Sequence, residues 1–131
     1  MLRVLVCDDD AHQRLLYRED LEDAGYEVIE AEDGGQALRR IDEQPPDAVV
    51  LDINMPGRDG LDTLARIHDR YRRIPVVLNS AYSTYKNQFV SWIADAYVTK
   101  SSNLEELRAA VRDVLLARDA SRDANTIRER R

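Results

Sequence analysis

At 131 residues with 44% apolar content the chain has the size and composition of one ordinary domain, which excludes a second full domain and any need for a metal or disulfide staple. The 25 acidic and 19 basic residues give a formal charge of −6, which repels a phosphate backbone and argues against direct nucleic-acid binding. A single cysteine, an apolar start from Leu2 to Cys7 too short for a signal peptide, and no run near the roughly 18 apolar residues of a membrane span make a soluble, cytoplasmic chain the expectation.

Val4-Leu5-Val6-Cys7 opens the chain as a strand. Residues 11–24 follow as a helix, with Leu15, Leu16, Leu21 and Ala24 at helical spacing and Gly25 suited to the left-handed position beyond its end. Tyr26-Glu27-Val28-Ile29 is the second strand, and residues 34–43, with Ala37, Leu38 and Ile41, are a helix stopped by Pro45-Pro46. Ala48-Val49-Val50-Leu51 is the third strand, and Leu61, Leu64, Ile67 and His68 mark a third helix. Pro75-Val76-Val77-Leu78 is the fourth strand, residues 83–93 a further helix, and Ala96-Tyr97-Val98 the fifth strand. Ser102 and Glu105 form a capping box ahead of a stripe of Leu104, Leu107, Val111, Val114 and Leu115.

The first, third and fourth strands are continuously apolar, as strands covered by helices on both faces must be. Strand and helix alternating along the chain predict an α/β domain: a doubly wound, five-stranded parallel sheet with helices on both faces and right-handed crossovers. Residues 1–118 carry this pattern. Residues 119–131 read as a charged tail, either a frayed end or an extension of the last helix in which Ala120, Ala124 and Ile127 would form a dimer seam.

In such sheets function sits beyond the carboxyl ends of the strands. Asp8, Asp9 and Asp10 follow the first strand, Asp52 the third, Ser80 the fourth, and Thr99-Lys100 the fifth. Carboxylates crowded at one edge repel, and a hard divalent cation with oxygen ligands resolves the repulsion. Magnesium suits the set, with Asp9 and Asp52 as direct ligands and Asp8 acting through water. Lys100 is one of only two lysines, beside Lys86. With the Ser80 hydroxyl it could hold phosphoryl oxygens opposite the metal, which leaves Asp52 to take the phosphoryl group as an acyl phosphate.

The runs VLVCDDD, VVLDINMPGRDG, VVLNSAY and ADAYVTK, in order from Leu2 to about Ala117, resemble the receiver domain of two-component response regulators, in the single-domain, chemotaxis-type form. The resemblance implies a flavodoxin-like fold with strand order 2-1-3-4-5. It implies that Asp8 and Asp9 are the acidic metal pair, Asp52 the phosphoacceptor, and Asn54 the residue whose backbone carbonyl completes the magnesium shell. It further implies that Ser80 is the switch hydroxyl, Lys100 the conserved-type lysine, and Tyr97 the aromatic that turns inward when the hydroxyl moves to the phosphoryl group. Met55-Pro56-Gly57 and Gly60 match the loop after the phosphoacceptor, and Asn54 and Tyr82 stand where side chains modulate phosphoryl lifetime.

The function so implied is a phosphorylation-controlled signalling module, not an enzyme in its own right, that assists its own phosphotransfer and autodephosphorylation. Its donor would be a sensor histidine kinase or a histidine phosphotransfer protein of a phosphorelay, with Mg2+ as cofactor. Its readout would be docking to a downstream protein or phosphorylation-dependent homodimerisation. There are two departures from the family pattern. Ser101 stands where proline, with a cis peptide, usually follows the lysine. The stretch between Ser80 and Lys100 is slightly shorter than usual and crowded with Tyr82, Tyr85, Phe89 and Trp92.

Plainer readings stand beside these. Asp8-Asp9-Asp10 alone fits a turn with Asp10 as helix cap, Tyr97 fits a core tyrosine, Cys7 an inert buried thiol, Trp92 packing, and His12 and His68 surface positions. A competing enzyme reading, a small haloacid-dehalogenase-type phosphatase, rests on the same aspartates but finds His12 where that family has threonine, no room for a cap and no later acidic pair. A third reading makes the chain the amino-terminal receiver of a longer regulator, with a linker beginning around Asp119.

Overall fold

The computed structural model describes residues 1–53, 60–80, 94–100 and 104–129, with side chains to residue 121. Its elements are β1 (Arg3–Cys7), α1 (Ala11–Asp23), β2 (Glu27–Ala31), α2 (Gly34–Glu43), β3 (Ala48–Leu51), α3 (Gly60–Arg70), β4 (Val76–Ser80), β5 (Ala96–Thr99) and a last helix, α4 (Glu105–Glu129). The strands form one parallel sheet in the order β2-β1-β3-β4-β5, the flavodoxin-like order. The helix expected over residues 83–93, the capping residue Ser102, the 101 peptide and the loop residues 55–57 lie outside the described residues. Among those described, no helix is long and apolar enough to cross a membrane.

Two apolar layers flank the sheet, and strand alternation sorts residues between them. Leu5, Val49, Leu51, Val76 and Leu78 join Ala37, Leu38 and Ile41 of α2 and Leu64 and Ile67 of α3 on one face. Val4, Val6, Val50, Val77 and Val98 join Tyr17 and Leu21 of α1 and Leu107, Val111, Val114 and Leu115 of α4 on the other. The apolar face expected of the first helix is corrected here. Tyr17 and Leu21 are its buried residues, while Leu15, Leu16 and Ala24 are exposed. Leu21 is fully buried in the layer that holds Val28, and stepping back four positions along the helix lands on Tyr17, not on the two leucines.

Helix α1 ends in a Schellman arrangement, with Gly25 N donating to Glu22 O at 3.0 Å and Tyr26 N to Leu21 O at 3.1 Å. Gly25, at φ +100°, supplies the left-handed residue this turn requires. The lower end of the sheet is tied by Asp47. Its Oδ2 accepts from Arg3 N at 2.7 Å, and its Oδ1 and carbonyl each accept from Arg118 Nη1 at 3.0 Å. One carboxylate thereby joins β1, the entry to β3 and α4.

Two substitutions test this frame. A Cβ at Gly60 would stand 2.6 Å from the Asp52 carbonyl oxygen, so Gly60→Ala has to push α3 away from the end of β3. It is expected to cost about 2 kcal/mol in urea unfolding. Arg118→Met keeps an apolar stem but leaves Asp47 without its guanidinium, and is expected to cost about 1 to 2 kcal/mol by the same measurement.

Candidate functional site

The valines facing α1 and α4 have polar successors. Two residues beyond Val6, Val50, Val77 and Val98 stand Asp8, Asp52, Asn79 and Lys100. The ladder continues past the strand ends through Asp8 N to Ala31 O at 3.1 Å, Asp52 N to Cys7 O at 3.0 Å and Lys100 N to Ser80 O at 2.6 Å. Alternation therefore puts these four side chains on one face, as a polar layer capping the valines. Cys7 pairs with Leu51 and Leu51 with Leu78, so Asp8, Asp52 and Asn79 stand at one level on adjacent strands.

The Lys100 ammonium donates to Asp8 Oδ2 at 2.8 Å and to Asp52 Oδ2 at 3.1 Å. Both carboxylates are almost fully buried, and the lysine side chain keeps 19% of its exposure. Asp8 Oδ1 accepts from Asp10 N at 2.9 Å, and the Asp8 carbonyl accepts from Arg14 Nη1 at 2.7 Å. Asp10 caps α1, its Oδ1 accepting from His12 N at 2.9 Å and Gln13 N at 3.3 Å. The plain reading of Asp10 as a helix cap holds, and Arg14 fixes the backbone from which Asp8 projects.

Asp8, Asp9 and Asp52 bring carboxylate oxygens within 4.8 Å of one another, with Asp9 exposed and the other two buried. At such spacing each pair repels by roughly 3 to 4 kcal/mol for an effective dielectric of about 20. One ammonium against three carboxylates leaves an excess of negative charge. An oxygen-only donor set with that excess suits a hard divalent cation and no soft metal.

Burial works to lower the Lys100 pKa, but the hydrogen bond and charge of Asp8, reinforced by Asp52, outweigh it and hold the ammonium above the ordinary lysine value. Burial pushes the Cys7 thiol up, with Asp33, Asp8 and Asp52 adding to the rise and Arg14 opposing it. Cys7 donates to the Asp33 carbonyl at 3.4 Å and stays a protonated, unreactive thiol. Burial likewise raises the Tyr17 hydroxyl. A hydrogen bond with the Asn79 side chain and the charge of Lys100 oppose the rise, and Asp8 and Asp52 add to it.

Of the residues expected from sequence, the structure brings together Asp8, Asp9, Asp52 and Lys100. Ser80 is fully buried at the end of β4. It shares the opposite face of the sheet with Leu78, whose register partner on β5 is Tyr97. Tyr97 is half-buried and packs against that face. Asn54 and Tyr82 lie outside the described residues. Sequence reading missed Arg14, Tyr17 and Asn79. The signal available for Asn79 was an amide inside the run Val76-Val77-Leu78-Asn79; Tyr17 and Arg14 gave none apart from their helical spacing to Leu21 and Asp10.

A model of the response regulator receiver domain family matches residues 4–112. The transcriptional regulatory protein PrrA of Mycobacterium leprae is 39% identical over 121 residues, which are 91% of this chain and 52% of that protein. The chain thus spans about half the length of the curated relatives it matches. The response regulator TrrA of Thermotoga maritima, solved in complex with Mg(2+)-BeF, is 41% identical with a TM-score of 0.83, over 86% of this chain and 98% of that one. TrrA in its complex with the histidine kinase ThkA superposes with a TM-score of 0.81 at 41% identity, over 88% and 99% of the two chains. With the family match covering most of its length, the chain belongs to the response regulator receiver domain family, the signalling modules of two-component systems.

Proposed function

We propose that this receiver accepts a phosphoryl group on Asp52 from a phosphohistidine of a sensor kinase or histidine phosphotransfer protein. The observation that carries the reading is the Lys100 ammonium bridging Asp8 and Asp52 beside the exposed Asp9. The relative TrrA, solved with Mg(2+)-BeF and with a kinase, supports the same donor class and metal. Asp9 and Asp52 would hold Mg2+ directly and Asp8 through water. When bound, the ion supplies charge neutralisation to the phosphoryl oxygens.

In the proposed reaction an Asp52 carboxylate oxygen attacks phosphorus in line, the P–N bond to the donor imidazole breaks, and a P–O bond forms to Asp52. Lys100 exchanges one carboxylate partner for a phosphoryl oxygen and steadies the transferring group. Attack of water on the same phosphorus later returns free Asp52 and inorganic phosphate. Ser80, fully buried at the end of β4, the strand beside that of Asp52, is the hydroxyl that would move to the phosphoryl group, and Tyr97 is the half-buried aromatic on Ser80's face that would follow it. Movement of that pair would bias the domain between two arrangements, and a partner protein or a second copy would read the difference.

Intact-protein mass after incubation with acetyl phosphate and MgCl2 tests the assignment. One added phosphoryl group is expected for the wild type, none for Asp52→Asn, and a Mg2+ requirement shifted to much higher concentration for Asp9→Asn. An Asp52→Asn chain that still gains the mass would overturn it.

A further inference from the structure

The layer that caps the valines holds four side chains, and the reading above uses three of them: Asp8, Asp52 and Lys100. The fourth, Asn79, is 2% exposed. A buried amide is costly unless it is hydrogen-bonded, and the Tyr17 hydroxyl, on a side chain 3% exposed that packs from α1 into the layer of Val77, is the group placed to engage Asn79.

The strand order gives this pair its position. β4 lies between β5, which carries Lys100, and β3, which carries Asp52, with β1 and Asp8 one strand further. To bring its ammonium within 3.1 Å of Asp52 and 2.8 Å of Asp8, the Lys100 stem has to cross the end of β4. The β4 side chain on that face, at the level of Asp52, is Asn79. Tyr17 packs from α1 into the layer of Val6, Val50, Val77 and Val98, two residues before Asp8, Asp52, Asn79 and Lys100, and the charges of Lys100, Asp8 and Asp52 act on its hydroxyl. A lysine stem is flexible and loses much rotamer freedom when fixed. A buried amide and phenol at that crossing would give the stem a surface of fixed shape to lie against.

We propose that Asn79 and Tyr17 are positioning residues for Lys100, confining its stem where it crosses β4 so that the ammonium meets the phosphoryl group at Asp52. The inference rests on the phosphoacceptor reading above. It places the pair's effect in the rate of transfer and not in metal affinity, because neither residue belongs to the carboxylate cluster.

The test is phosphorylation by acetyl phosphate at saturating MgCl2, for wild type, Tyr17→Phe and Asn79→Leu, each also in a Lys100→Ala background. Both substitutions are expected to slow transfer on the order of tenfold at saturating donor while leaving the half-saturating Mg2+ concentration unchanged. Both should have no effect once Lys100 is alanine. Because the chain has two lysines, lysine labelled with 13C at Cε gives a second readout, with Lys86→Arg assigning the Lys100 signal. That signal is expected to move toward its unconstrained position in both variants. Wild-type rates in the variants, a slowing that persists in Lys100→Ala, or an unmoved Lys100 signal in variants that still melt cooperatively overturns the proposal. A wild type that gains no phosphoryl group overturns the functional reading and this inference with it, whereas a phosphorylated wild type whose variants match it overturns this inference alone.

Discussion

One ammonium reaching across three strand ends organises the upper edge of this domain. Lys100 starts on the edge strand β5, passes β4 and β3, and joins the carboxylates of Asp52 and Asp8. The contact requires the sheet order that puts β1 and β3 side by side, and the register that levels Asp8 with Asp52. It also requires the supports beneath: Arg14 on the Asp8 carbonyl, and Gly60 letting α3 start against the Asp52 backbone. Two buried carboxylates at such spacing are unfavourable without a cation between them. Packing holds them there, and the repulsion is available for chemistry.

The two faces of the sheet differ in what they offer. Toward α1 and α4 the strand ends carry Asp8, Asp52 and Lys100, the groups that would hold the metal and the phosphoryl group, with Asn79 at their level on β4. Toward α2 and α3 they carry Ser80, with Tyr97 packed on the same apolar layer. In the proposed cycle chemistry belongs to the first face and its consequence to the second, with the backbone of β4 between them. Adjacent residues of one strand, Asn79 and Ser80, would then serve opposite sides of the same event.

Much of this was legible in the sequence, for identifiable reasons. Doubly buried strands need unbroken apolar runs, so β1, β3 and β4 announced themselves, and the aspartates and Lys100 stood out because they follow those runs directly. Strand ends were less legible. The run Pro75 to Leu78 stops at the first polar residue, yet β4 continues through Asn79 and Ser80 because burial is compatible with an amide that finds a partner. Helix α1 misled for the opposite reason. Two adjacent leucines look like core, but adjacent helical positions point about 100° apart, and tertiary packing selects Tyr17 and Leu21. The Tyr17 and Asn79 pair was invisible to pattern reading, since its members are 62 positions apart and neither type marks a site.

The central claim is that the Asp8, Asp9 and Asp52 cluster stores repulsion that one lysine only partly relieves and a divalent cation completes. Thermal unfolding of the wild type and Asp52→Asn, with EDTA and with MgCl2, measures this directly. The account predicts that Asp52→Asn melts higher than the wild type in EDTA and that MgCl2 raises the wild-type midpoint well above any rise in the variant. A variant that melts lower in EDTA, together with a wild type indifferent to Mg2+, would contradict it.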